Sequence, residues 1–282
     1  MKKILLLLPI ALLLACAAAS AQDTSAEEYL GRYQRLVRNV GESGVGVETL
    51  LDRWEADWPD DLNVPVARFN YYFHKALRTE ILPKPGLKRF LGNAPAMTLK
   101  DNDGQDVPYF EENFFDDELF GEAIRVLDQQ IAAHPDELRY RYLKISALAA
   151  YEKEQPDMTA AEIRALIARQ TSAHPAWTLD GQAADEELFQ QGIGEFCYTL
   201  FQTGSPAGYE FFHEISERMS KLYPKNPVFI DNIGSYWQVA QGNDKQAAKY
   251  YKKALKLDPD DYAAQRNLQI IEKKQQAAKK KK

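Results

Sequence analysis

The stretch DNDGQDVPYFEE, residues 101–112, puts oxygen-bearing side chains where a calcium loop needs them: Asp101, Asp103, Gln105 and Glu112 fall at positions 1, 3, 5 and 12. Calcium is a hard cation taking about six to eight oxygens, and three carboxylates with one amide would begin such a shell. The match stops at the sharp turn, which wants glycine at position 6. Here Gly104 stands at position 4, Asp106 at 6 and Pro108 at 8. A tight hairpin accounts for Asn102-Asp103-Gly104 without a metal, because such residues tolerate positive φ. Calcium at this loop stays an open question, and no cofactor or metal is assigned.

The other residue types capable of chemistry are scattered. Of the four histidines, His134 and His174 sit in matching Ala-His-Pro triplets, which assigns them to helix ends, where an imidazole faces the negative pole of the helix dipole. His213 lacks the second histidine of a helical zinc site, whereas His74, in ARFNYYFHKA, is kept as a candidate groove residue. GESGV at 41–45 imitates a nucleophile elbow but has Val45 at its fifth position, in a helix-to-helix turn. No phosphate-cradling glycine loop occurs. Pairs such as Asp116-Asp117 and Glu186-Glu187 are adjacent, and neighbours on a helix point about 100° apart, which disfavours joint acid–base action. The sequence implies no enzyme and assigns no catalytic residue.

Composition narrows the class further. The chain has 282 residues with 35 Lys and Arg against 41 Asp and Glu, a net charge of −6. Six of those lysines crowd the final ten residues, KKQQAAKKKK, so the body is more acidic than the total, which disfavours nucleic-acid partners. At the other end, Lys2 and Lys3 precede an apolar run from Ile4 to Ala15 and an Ala19-Ser20-Ala21 site. That is the pattern of an export signal spanning 1–21. The run is too short for a permanent anchor. Leu13-Leu14-Ala15-Cys16 resembles a lipoprotein cleavage site, so lipidation at Cys16 stands as the rival to soluble export. Either route leaves the protein in the periplasm or at the outer membrane. Cleavage after Ala21 leaves Cys197 alone, without a disulfide partner, so stability must come from burial.

That burial follows a repeated grammar. In AAKYYKKALKLDPDD, Ala247, Tyr251 and Ala254 form one helical stripe that closes before Pro259, and Gly242-Asn243 breaks it from an earlier helix over 227–241. The stripe returns in VETLLDRWEADWPDD (Pro59), FGEAIRVLDQQIAAHPDE (Pro135), LIARQTSAHPAW (Pro175) and FFHEISERMSKLYPKN (Pro224). These residues resemble the tetratricopeptide repeat, a unit of about 34 residues whose second helix reads small-x3-aromatic-x2-Ala-x4-Pro. The copy at 242–259 fits in register; its first helix departs, with Gly234 one residue early and no Leu-Gly pair. LLDRWEADWPDD with ARFNYYFHKA, MTLKDNDGQDV and HPDELRYRYLKISAL are also similar to exported tetratricopeptide-like proteins of Bacteroidetes. That likeness implies location and architecture, not chemistry.

The expected fold is therefore all-α: a tetratricopeptide-like α-solenoid of antiparallel helix pairs with a small β-hairpin insertion. A helical block is expected over 22–83, a two-stranded insertion over 84–115 with Pro108 on an edge strand, repeats over 116–272 and a lysine-rich tail over 273–282. Stacked pairs create a concave surface lined mainly by their first helices. The register of the resemblance places Asn70, His74, Arg139, Tyr142, Asn232 and Tyr236 there, as a groove for a protein or peptide partner in the bacterial cell envelope. A glycan-binding accessory protein of the outer surface is the alternative, and it expects Trp54, Trp58, Trp177 or Trp237 exposed along a rim.

Overall fold

The structure, a computed structural model, describes residues 24–280. The expected signal over 1–21, with Cys16, lies outside the described residues, as do Lys281 and Lys282. Among the described residues the chain is mostly helical, with eleven helices. They pack in consecutive pairs: α1 (Ala26–Val40) with α2 (Val47–Asp57), α3 (Asn63–Ala76) with α4 (Asp117–Ala133), and α5 (Leu138–Glu152) with α6 (Asp157–Ala173). Next come α7 (Glu186–Gln202) with α8 (Pro206–Leu222) and α9 (Pro227–Val239) with α10 (Asp244–Leu257), followed by α11 (Tyr262–Lys280). No helix among the described residues is long and apolar enough to cross a membrane.

Proline ends the second helix of every pair. Pro59, Pro135, Pro175, Pro224 and Pro259 each lie two positions beyond the last residue of α2, α4, α6, α8 and α10. A proline drives its predecessor out of the right-handed helical region. Trp58, His134, Tyr223 and Asp258 accordingly leave the helix at ψ values of 66°, 68°, 69° and 99°, and His174 turns left-handed at φ 45°. The two Ala-His-Pro histidines are thus helix C-caps. Helix starts are fixed as locally: the side chains of Asp185, Ser205, Asn226 and Asn243 accept backbone N–H bonds from the first turns of α7 to α10.

The insertion differs from the expectation in three respects. Strand β1 (Leu77–Pro83) begins inside the expected helical block, and β2 (Met97–Lys100) and β3 (Asp106–Phe115) complete an antiparallel sheet in the order β1-β3-β2. It has three strands, not two, because LRTEILP continues out of α3 with no helix-stopping signal and pairs with β3 from Leu77↔Phe115 to Pro83↔Tyr109. β3 is consequently central, and Pro108 does not mark an edge. Its carbonyl accepts from the Lys84 amide at 2.9 Å, and a strand residue's N–H and C=O point the same way. The missing N–H therefore faces the point where β1 runs out. Finally, the sheet does not separate two blocks: α3 and α4 pack as one pair and the sheet hangs from their connection, which explains the long interval between Pro59 and Pro135.

An aromatic knot ties the sheet to the helices, with Phe115 of β3 5.2 Å from Phe73 on α3 and 5.3 Å from Phe120 on α4, and Phe120 stacked on Tyr151 of α5 at 4.3 Å. A second short hairpin, β4 (Thr178–Leu179) with β5 (Gln182–Ala183), interrupts the expected repeats between α6 and α7. Buried Glu137 pins it, accepting from Thr178 Oγ1 at 2.8 Å and from the Asp180 and Gly181 amides at 2.9 and 3.1 Å. In the last pair Ala247, Tyr251 and Ala254 have no exposed surface. The Tyr251 ring lies so close to Gly234 that a Cβ there would come within 2.6 Å of it.

Candidate functional site

In the C-terminal half, α7, α9 and α11, with Phe212 of α8 and the turn that carries Asp258, Asp260 and Asp261, line one cavity of about 1120 Å3. Its rim holds exposed apolar side chains: Tyr198 of α7 is 56% exposed, Val228 of α9 48% and Tyr262 of α11 73%. Three large side chains left in water around one concavity mark a surface suited to covering by a partner. Between them stand side chains that donate and accept hydrogen bonds, among them Gln190, Gln191, Asn232, Ser235 and Asn267.

Charge in the groove is one-sided. Glu187, Glu195, Asp231, Asp258, Asp260 and Asp261 face the single ammonium of Lys225. Two of these acids are partly occupied by local turns, since Asp258 Oδ1 accepts from the Asp260 amide and Asp261 Oδ1 from the Ala264 amide, both at 3.0 Å. Asp231 is different. It is the sole charged residue of α9, lies among buried Phe229, Ile230 and Ile233, is 8% exposed, and its Oδ1 has no hydrogen-bond partner. Burial, and then the nearby Asp261 carboxylate, push its carboxyl up to about 7.

The six residues expected in one groove do not come together. Asn232 lines the cavity just described. Arg139 lines a separate one of about 650 Å3 beside Trp58 and Asp61, with its guanidinium 2.9 Å from Asp180 Oδ1 and 3.3 Å from Asn63 Oδ1. Asn70 and His74 lie one turn apart on α3, where His74 Nδ1 is 2.9 Å from the Asn70 carbonyl oxygen, and neither lines the cavity that holds Asn232 or the one that holds Arg139. Tyr142 and Tyr236 belong to the packing. The Tyr142 ring meets Phe196 edge-on at 5.2 Å and its hydroxyl is buried without a partner, so its phenol is pushed up by burial. Tyr236 stacks on His213 at 3.9 Å and donates to Glu210 Oε1 at 2.7 Å. The register borrowed from a regular repeat takes no account of the strands inserted between α3 and α4 and between α6 and α7.

Oxygens proposed for calcium are engaged elsewhere. Asp101 Oδ1 accepts from the Asp103 and Gln105 amides at 2.9 and 2.8 Å, while Glu112, at the far end of β3, is held by Lys84 at 2.7 Å and Lys153 at 2.8 Å. Among the described residues, no three His, Cys, Asp or Glu side chains gather as a metal would need. Of the tryptophans, Trp54 and Trp177 are buried, Trp237 is half-buried, and Trp58 is 41% exposed with its Nε1–H donated to the Thr24 carbonyl at 2.8 Å. They form no rim. What sequence reading missed was Asp231, and the signal lay in the open: one carboxylate in the otherwise uncharged PVFIDNIGSYWQV.

No protein-family model matches the chain, and no curated protein matches it.

Proposed function

We propose that this protein is an exported, non-catalytic scaffold of the tetratricopeptide type, holding an extended polypeptide segment of a cell-envelope partner in the groove between α7, α9 and α11. The observation that carries this reading is one cavity lined mainly by α7, α9 and α11, in which the hydrogen-bonding side chains of Asn232 and Ser235 share the lining with the exposed rings of Tyr198 and Tyr262. An extended chain has unpaired backbone N–H and C=O groups that such amides and hydroxyls satisfy, and rings cover its apolar parts. Support for the repeat type comes from the five helix pairs closed by equivalent prolines and from the Gly242, Ala247, Tyr251, Ala254, Pro259 register. Export rests on the 1–21 sequence. The glycan alternative gains nothing from the tryptophans, which are spent mostly on packing.

Photo-crosslinking side chains introduced in living cells at Tyr198 and Tyr262, with exposed Lys252 of α10 as the position outside the groove, test the proposal. Both groove positions should capture the same polypeptide, and the captured segment, made synthetically, should bind the purified protein. Equal capture at Lys252, or different polypeptides at the two groove positions, refutes it.

A further inference from the structure

The groove has a sign and a focus, and together they define the chemistry of its occupant. Six carboxyl groups and one ammonium around a single concavity concentrate negative potential where low-dielectric helix walls limit screening. An acidic cluster alone is ordinary for so acidic a chain. Asp231 is not ordinary: it lines the groove at 8% exposure, and its Oδ1 is sealed from solvent with no hydrogen-bond partner in the protein. Buried polar groups are nearly always paired, so a carboxyl that lines a cavity and receives no hydrogen bond or ion pair from the protein leaves its place open to a donor from the groove.

We infer that the occupant of this groove is a polypeptide segment bearing lysine or arginine side chains, one of which enters beside Asn232 and donates to the Asp231 carboxylate. This rests on the peptide-binding reading of the groove and adds the sign and position of the contact. A cation satisfies the site best because it supplies both the missing donor and the charge that offsets Asp231 and its neighbour Asp261. The aliphatic stem of a lysine would lie along Tyr198 and Val228 while its head reaches inward. Lys225 does not do this for the protein itself, since Asp231 Oδ1 has no partner.

Calorimetric titration of the purified protein with three capped nonapeptides separates the possibilities: one carries four lysines, one glutamine at those positions, one glutamate. Free spermidine supplies the cation without a backbone. The lysine peptide should bind at least about tenfold more tightly than the glutamine peptide, and the glutamate peptide should not bind. Asp231→Asn should remove about tenfold or more of the lysine preference, read as the ratio of lysine-peptide to glutamine-peptide affinity. Should that variant misfold, Glu195→Gln on the exposed face of α7 should weaken the lysine peptide alone, by a few-fold. Equal binding of the lysine and glutamine peptides overturns the inference while leaving the groove reading intact. Spermidine binding as tightly as the lysine peptide assigns the site to a small polyamine and overturns the polypeptide part. Binding of none of the four overturns the inference, and the crosslinks at Tyr198 and Tyr262 then judge the groove separately.

Discussion

Replacing Asp231 by asparagine should stabilise this protein at pH 8 and leave its stability almost unchanged near pH 4. In the unfolded chain an aspartate ionises near its ordinary value of about 3.9. In the folded protein burial, reinforced by Asp261, holds the carboxyl to about 7. Below pH 4 both states carry the proton and nothing is lost. Between pH 4 and 7 the unfolded chain has released a proton that the folded one retains, so stability falls as pH rises. Above 7 the loss is complete. A displacement of about three units at roughly 1.4 kcal/mol each sets a ceiling of roughly 4 kcal/mol. The neutral amide never ionises and escapes the whole loss. The other charged groups facing position 231 are Glu187 and Glu195 of α7, Lys225 before α9, and Asp258, Asp260 and Asp261 of the turn; on α10, Tyr251 has its phenol pushed up by burial and by Asp231. They are common to both proteins and cancel to first order in the difference. Urea unfolding of the two proteins at pH 4.5, 6 and 8 measures it. A difference that stays flat across that range, or an asparagine protein less stable at pH 8, would refute the placement of Asp231 as an unpaired buried acid.

Two further substitutions test the frame. Gly234→Ala sets a Cβ within 2.6 Å of the Tyr251 ring, and overpacking there should outweigh alanine's helical preference and cost about 1–2 kcal/mol in thermal or urea unfolding; a neutral or stabilised protein would mean that α9 and α10 do not approach so closely. Glu137→Gln should cost about 1–3 kcal/mol at pH 7, because it removes a charged acceptor from the β4–β5 hairpin. Burial raises the Glu137 carboxyl, but the bonds from Thr178, Gly181, Arg139 and Asp180 outweigh it and hold it below the ordinary value. Its stabilisation is therefore present above the unfolded pKa and lost as pH falls through the folded one, so the cost of the substitution should shrink toward pH 3.

How legible this molecule is in its sequence depends on the range of the interaction that decides each feature. Helix ends were readable because they are decided locally: proline acts on its own predecessor, and each of Pro59, Pro135, Pro175, Pro224 and Pro259 stops a helix two residues earlier. The Tyr251 stripe was readable for the same reason. Strand β1 was not, because LRTEILP becomes a strand only by meeting Tyr109 to Phe115 about thirty residues on. The sheet order then reverses the meaning of Pro108, which looks like an edge signal until β1 is known to end beside it. Groove membership was the least legible of all. It depends on tertiary packing across helices, since Tyr142 of α5 meets Phe196 of α7 and Tyr236 of α9 meets His213 of α8.

Asp231 also bears on why such a residue persists. An asparagine or serine would line the groove without the pH-dependent loss, and aliphatic neighbours such as Ile230 and Ile233 show that the helix tolerates apolar side chains on either side. Proteins commonly hold destabilising groups where function needs them, and the destabilisation is relieved when the ligand arrives. For a carboxylate with an unsatisfied oxygen the relieving ligand must bring a donor, and for one crowded by Asp261 it must bring positive charge. The stability measurement and the peptide titration therefore examine one quantity from two sides. If Asp231 is as unfavourable in the empty protein as its burial implies, a bound lysine should raise the melting temperature of the natural protein more than that of Asp231→Asn, and more at pH 8 than at pH 5. A thermal shift that is equal in the two proteins would sever the buried acid from the groove's occupant.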